Sequence, residues 1–284
     1  MIRLAVRCRP ELAEQVLAEL VVLAPNGVEE EHGPDYVEYA IYGAEGELPA
    51  LGELEAATGG GLIEVSSDRV PDDWADRWRD FHRPLLVGGR LWVRPSWEPT
   101  RNGALDVVID PGHAFGTGAH PTTRLCLELL LELAATGSAN GPIADLGTGS
   151  GVLAIAAAKL GWDPVIACDQ EQAALDAAEA NAAANGVALE LRRVNLRLEP
   201  PPHARAVVAN LTAPILIALA ERLGDLDPGQ RPERLVCSGL LAREADDVSA
   251  RLGAAGLEEA ERRSDGDWTA LLVRTDHAAE TPPR

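Results

Sequence analysis

The stretch "IADLGTGSGVLAIAA", residues 143–157, constrains this chain more than any other. Its first four residues read as a short strand, and its alanine-rich end has the periodicity of a helix. Between them stand Gly147, Gly149 and Gly151. A turn so poor in side chains lets backbone come close to a ligand, and a helix that starts there aims free N–H groups at it. The dinucleotide fingerprint needs G-x-G-x-x-G. Here Val152 stands where the last glycine of that pattern belongs, so the turn is built for something other than a pyrophosphate.

The same alternation continues downstream. "VIAC", "LELRRV", "AVVAN" and "RLVCSG" read as strands, with helices "EQAALDAAEANAAANG" and "APILIALAERLG" among them. Short apolar runs alternating with helices predict a parallel sheet covered on both faces. Asp169 follows the second strand, 22 residues after Gly147. An acidic side chain there accepts hydrogen bonds from ribose hydroxyls. Taken alone, it reads equally as a loop carboxylate or a helix cap. A ribose with no pyrophosphate to cradle points to S-adenosylmethionine. Asn210 ends "AVVAN" at the carboxyl end of a strand, where open α/β sheets bind ligands. A cap for the helix near Pro214 is the alternative.

The first 68 residues read as strand, helix, two strands joined through Gly33-Pro34, helix and strand, the order of a ferredoxin-like unit. Residues 69–82 predict a linker helix that spaces Trp74, Trp78 and Phe81 along one face. Asp72, Asp73, Asp76 and Asp80 surround those rings, which favours packing over stacking on nucleic acid bases. The loop "DPGHAFGTGAHPTT", residues 110–123, has little that fills a core. His113 and His120 stand in it, but no cysteine or further histidine is close, which argues against a metal. His120 reads as an orienting residue, with Pro121 suited to a first helical turn.

The formal net charge of −20 repels nucleic acid phosphates and attracts a basic protein. Lys159 is the only lysine among 25 basic residues, a bias that fits an acidic, salt-adapted surface as well as any function. Cys8, Cys126, Cys168 and Cys237 are far apart, so neither a zinc site nor a disulfide framework is expected. No apolar run approaches the roughly 18 residues of a membrane span, and the N-terminus shows no secretory pattern. The expected compartment is the cytoplasm.

"DPGHAFGTGAHPTT", "DLGTGSGVLAIAAAKLG", "VVANL" and "SGLLAREADDV" follow one another in an order that resembles the bacterial methyltransferases of ribosomal large-subunit protein eleven. "DWADRWRDFHRPLLVGGRLWVRPSW" and "DGDWTALLVR" are similar to that family too, so the resemblance covers nearly the whole chain. It implies a seven-stranded, doubly wound, Rossmann-like methyltransferase domain over 83–284 and a ferredoxin-like substrate-recognition domain over 1–68. It implies S-adenosyl-L-methionine as cofactor and amino groups of a basic ribosomal protein as substrate, with no nucleic acid or membrane partner. By the same resemblance Thr123 contacts the cofactor, and Phe115 to Thr117 lie beside its methionine end. Gly147 and Gly149 form the turn, Asp169 holds the ribose, and Asn210 stands at the methyl-transfer crevice as the catalytic residue and also as a cofactor contact. His113 and Thr212-Ala213 depart from the family pattern. Other readings are a lysine methyltransferase with a different protein substrate and a non-catalytic assembly factor. An adenine methyltransferase calls for Asn-Pro-Pro-aromatic where this chain has Asn-Leu-Thr-Ala.

Overall fold

Period-two alternation builds the first strands. In the computed structural model, which describes residues 2–13, 16, 29–43, 62–69, 83–110 and 120–275, strand β1 covers Ile2–Cys8. Strands β2 (Glu29–His32), β3 (Val37–Gly43) and β4 (Leu62–Arg69) complete a four-stranded antiparallel sheet in the order β2-β3-β1-β4. Leu4, Val6 and Cys8 point to one face and pack with Val16, Val37, Tyr39 and Ile41. On the other face Arg3 and Arg7 both bond the buried carboxylate of Glu38. Burial alone raises that carboxyl's pKa, but the two guanidiniums outweigh it and hold the pKa below the ordinary value. The helices expected over 11–23 and 48–57 fall largely outside the described residues, as does the aromatic segment 72–82.

By its internal contacts the chain divides into Met1–Phe81 and His82–Arg284. The second unit opens with β5 (Leu85–Val87), β6 (Leu91–Arg94) and β7 (Leu105–Val108), a three-stranded sheet that the sequence patterns did not announce. Helix α1 (Pro121–Ala135) follows residues 111–119, which lie outside the described residues. Then come β8 (Ile143–Leu146), α2 (Val152–Leu160), β9 (Val165–Asp169), α3 (Gln172–Asn185), β10 (Glu190–Arg193), β11 (Ala206–Asn210) and α4 (Ala213–Asp225). The chain continues through β12 (Arg234–Leu241), α5 (Ala245–Ala254), β13 (Leu257–Asp265) and β14 (Trp268–Thr275).

The large sheet has the order β10-β9-β8-β11-β12-β14-β13. Five strands are parallel, as the alternation predicts, but β14 runs antiparallel to β12, and β13 to β14. The five strands read from the alternation are the parallel ones; β13 and β14 add an antiparallel hairpin at one edge. Edge strand β13 buries little after Leu257, and an antiparallel edge tolerates one wet face where a parallel strand needs both covered. Alternate residues feed two cores. Ile143, Val165, Val208 and Val236 pack against α1 and α2. Leu146, Cys168, Ala209 and Cys237 pack against α4 and α5. All four cysteines are buried and free. Strand order reverses between β8 and β11, the switch point beside which open α/β sheets bind ligands. Among the described residues no helix is long and apolar enough to cross a membrane.

Candidate active site

The glycine turn is tied down from below. Gly147 N–H and Thr148 N–H both donate to the Cys168 carbonyl at 2.8 Å, which fixes the end of β8 against the end of β9. Gly151 N–H closes the turn on the Thr148 carbonyl at 2.8 Å and then caps α2. Gly147 has φ +76°, and a Cβ there would lie 2.4 Å from Leu211 Cδ2. The positive φ favours glycine at 147, and any side chain there would have to displace the tip of Leu211.

Asp145, the acid just before the turn, is 1% exposed. Its Oδ2 accepts from Thr148 Oγ1 at 2.8 Å and from Ala154 N–H at 3.0 Å, so one carboxylate joins the turn to the first coil of α2. Its Oδ1 is buried with no hydrogen-bond partner among the described residues. Burial pushes this carboxyl up to about 7, although the two hydrogen bonds pull the other way. Sequence reasoning passed over Asp145. Its signal was a lone charge in an otherwise apolar strand, next to the glycines.

Asp169 ends β9 with its carboxylate half-buried. Oδ2 accepts from Gly149 N–H and Oδ1 from Glu171 N–H, each at 3.1 Å. An ionised carboxylate offers about four lone-pair sites, so two remain for outside hydroxyls. The cap position of α3 is Glu171, so Asp169 supports that helix start from two residues further back without being its cap.

The far wall is the start of α1. His120 is its cap residue, and Nδ1 lies 2.7 Å from Thr122 Oγ1 and 3.4 Å from Thr122 N. The imidazole meets the Trp268 ring edge-on, centroids 4.9 Å apart, and burial lowers its pKa. Thr123, 1% exposed, receives a hydrogen bond of 3.2 Å from Asn210 Nδ2. Residues 206, 208 and 210 of β11 share one face by strand alternation, and that face looks toward α1. Asn210 is therefore not the cap of the following helix. Thr212 holds that position, without a side-chain cap bond. With Nδ2 committed to Thr123, the Asn210 side chain has Oδ1 to offer an incoming N–H.

The family model for ribosomal protein L11 methyltransferase (PrmA) matches residues 43–276. The chain belongs to this family. It is 44% identical over 208 residues to a ribosomal protein L11 methyltransferase of Pelotomaculum thermopropionicum, covering 72% of this chain and 66% of that one. To the corresponding protein of Azotobacter vinelandii it is 39% identical over 239 residues, covering 82% and 79%. The match to the Pelotomaculum protein thus falls just short of two thirds of that relative's length. Among solved structures, a ribosomal protein L11 methylase from Lactobacillus delbrueckii subsp. bulgaricus superposes with a TM-score of 0.59 at 30% identity, covering 68% of this chain and 98% of that one.

Of the residues singled out by the family resemblance, two pairs are brought together: Gly149 with Asp169, and Thr123 with Asn210. Gly147 stands between the ends of β8 and β9, against Leu211. Phe115 and Thr117 lie outside the described residues, as does His113. Among the described residues no three His, Cys, Asp or Glu side chains gather as a metal site. Besides Asp145, the sequence reading missed Asn181 and Asn185, one turn apart on α3. Asn181 donates to the Ser150 carbonyl at 2.8 Å and accepts from Asp110 N–H at 3.2 Å. Asn185 holds both the N–H and the carbonyl of Val108, at 2.9 and 2.6 Å. Together they tie the glycine turn to Val108 and Asp110.

Proposed function

We propose that this chain transfers methyl groups from S-adenosyl-L-methionine to amino groups of ribosomal protein L11, its lysine side chains and N-terminal amine, in the cytoplasm. The reading extends to this chain what its relatives' names say of them. The observation that carries it is the Asn210–Thr123 contact at the switch point, across the strand ends from a glycine turn bonded to Asp169.

The residues present fit the cofactor. Asp169 keeps two acceptor directions for vicinal ribose hydroxyls, which only a small number of ligand groups would match. The turn at Gly147 and Gly149 presents backbone in place of side chains. Thr123 and, in the family pattern, Phe115 and Thr117 would complete the enclosure. When bound, the cofactor supplies an electrophilic methyl on a sulfonium.

The remaining chemistry falls to this chain. A free lysine has a pKa of about 10.4, so nearly all of it is protonated at neutral pH. A crevice walled by α1 and β11 disfavours the ammonium by desolvation and lets its proton pass to water. Asn210 Oδ1 then accepts an N–H of the neutral amine and fixes its lone pair. Fixing a nucleophile in this way supplies up to roughly 7–11 kcal/mol in ideal cases. No dedicated base is needed in this scheme. The net charge of −20 draws in a basic ribosomal protein and disfavours nucleic acid as a direct partner. The first unit, whose strand order β2-β3-β1-β4 is that of a ferredoxin-like sheet, supplies the substrate grip. Incubation with L11 and methyl-labelled cofactor, followed by mass mapping, tests the reading: label on amino groups supports it, and label absent from L11 defeats it.

A further inference from the structure

We infer that Leu211 is a positioning residue, a wedge between Gly147 and Gly239 that sets where Asn210 stands relative to the glycine turn. The inference rests on the reading of Asn210 as the group that orients the amine. Asn210 pairs with Ser238 across β11 and β12, and Leu211 N–H continues that ladder onto the Ser238 carbonyl at 2.9 Å. Ser238 is itself buried and anchored by its hydroxyl to the Thr269 carbonyl at 3.0 Å. The next residue, Gly239, has φ +85°, and a Cβ there would lie 2.4 Å from Leu211 O and 2.8 Å from Leu211 C. Those are backbone atoms with nowhere to swing. On its other side Leu211 sends Cδ2 over the α-carbon of Gly147, into the 2.4 Å where a Cβ would be. One glycine just past the end of β8 and one inside β12, at its register shift, are thus shaped around one leucine. That leucine follows directly on the residue assigned to the amine.

The peptide of Leu211 cannot shift without carrying Asn210 off Thr123. Gly239→Ala forces such a shift. Ordinary contact begins at 3.4 Å, so the new Cβ and the Leu211 carbonyl must separate by about 1 Å. A displacement of about 1 Å at a reacting group costs on the order of a hundredfold in rate.

The test combines rates with a spectrum. In full-length Gly239→Ala, single-turnover methylation of L11 is expected to fall by about a hundredfold, with S-adenosylhomocysteine affinity changed by less than about fivefold. In an Asn210→Ala background the same substitution is expected to cost less than about threefold, because the group being positioned is gone. A purely structural glycine would cost as much in both backgrounds, and that result overturns the inference. Independently of activity, the Asn210 side-chain amide signals in the ¹⁵N spectrum, assigned by their loss in Asn210→Ala, are expected to move. Should they stay in place, the wedge is refuted whatever the rate does. If Gly239→Ala does not fold, Leu211→Ala replaces it and leaves the backbone intact. It is expected to shift the same amide signals and lower the rate by about tenfold, and unchanged signals again overturn the claim. A parent protein that leaves L11 unlabelled defeats the functional reading alone, since the amide spectrum still decides the wedge.

Discussion

Replacing Asp145 by asparagine separates the cost of a buried charge from everything else at this site. The carboxyl is 1% exposed, and its pKa rises from 3.8 in the open chain to about 7 in the fold. The native state therefore binds the proton more tightly than the unfolded state does. The sign follows from linkage: native stability falls as pH rises through the interval between the two values, and the loss is complete above the folded pKa. Each unit in that interval is worth about 1.4 kcal/mol, so the parent loses about 3 kcal/mol from this group between about pH 5 and about pH 7. Asparagine keeps an oxygen for Thr148 Oγ1 and Ala154 N–H and has no charge to bury. Its amide nitrogen falls where Oδ1 has no partner, which costs about 1–3 kcal/mol at every pH. Urea unfolding of both proteins at about pH 5 and about pH 8 isolates the ionisation, because all other titrating groups cancel in the comparison. The stability of Asp145→Asn relative to the parent is expected to improve by about 3 kcal/mol from the lower pH to the higher. Two stability curves that run parallel across this range would refute the argument that burial governs Asp145.

Three further outcomes follow from named contacts. Asp169→Ala removes the acceptor proposed for the ribose, and calorimetry is expected to show S-adenosylhomocysteine binding weakened by about ten- to a hundredfold, with the fold retained. His120 has its pKa lowered by burial, so its neutral form is the one that caps α1; as pH falls below the ordinary histidine value, stability held by the neutral cap is lost, down to the folded pKa. His120→Asn, which caps without titrating, is expected to flatten the acid limb of the pH–rate profile, and an unchanged limb would mean that another group sets it. Asn181→Leu leaves the Ser150 carbonyl and Asp110 N–H unpaired; it is expected to lose about 2–5 kcal/mol in denaturant unfolding, and faster hydrogen exchange at Asp110 would mark the freed bond.

The parallel strands and the glycine turn were legible because their signals are local. A short strand of three apolar residues and one acid, a glycine cluster and a helical period fall within the 15 residues of 143–157. The ends of β9 and β11 were readable in the same way, as a charge or amide that closes an apolar run. What escaped was set by distance along the chain. Asn181 and Asn185 look like ordinary polar positions on a helix, and their partners Asp110 and Val108 lie 71 and 77 residues away. The alternation stopped short of β13 and β14, where the Asp265–Gly266 turn makes an antiparallel hairpin of the last two strands. Asn210 illustrates both limits. Its strand-end position could be read, but its partner Thr123 is 87 residues earlier, and only the fold distinguishes that contact from a helix cap.

Single-turnover methylation of ribosomal protein L11 by Asn210→Ala, at saturating cofactor and substrate, tests the central claim most directly. The substitution leaves the glycine turn and Asp169 in place, so S-adenosylhomocysteine binding is expected to weaken by no more than one neutral hydrogen bond, about 0.5–1.5 kcal/mol. Methyl transfer is expected to fall on the order of a hundredfold or more, as when a preorganised polar contact to a transition state is removed. A variant that transfers methyl within a few-fold of the parent would contradict the account, leaving Asn210 as a prop for Thr123 and the amine to be oriented by other groups.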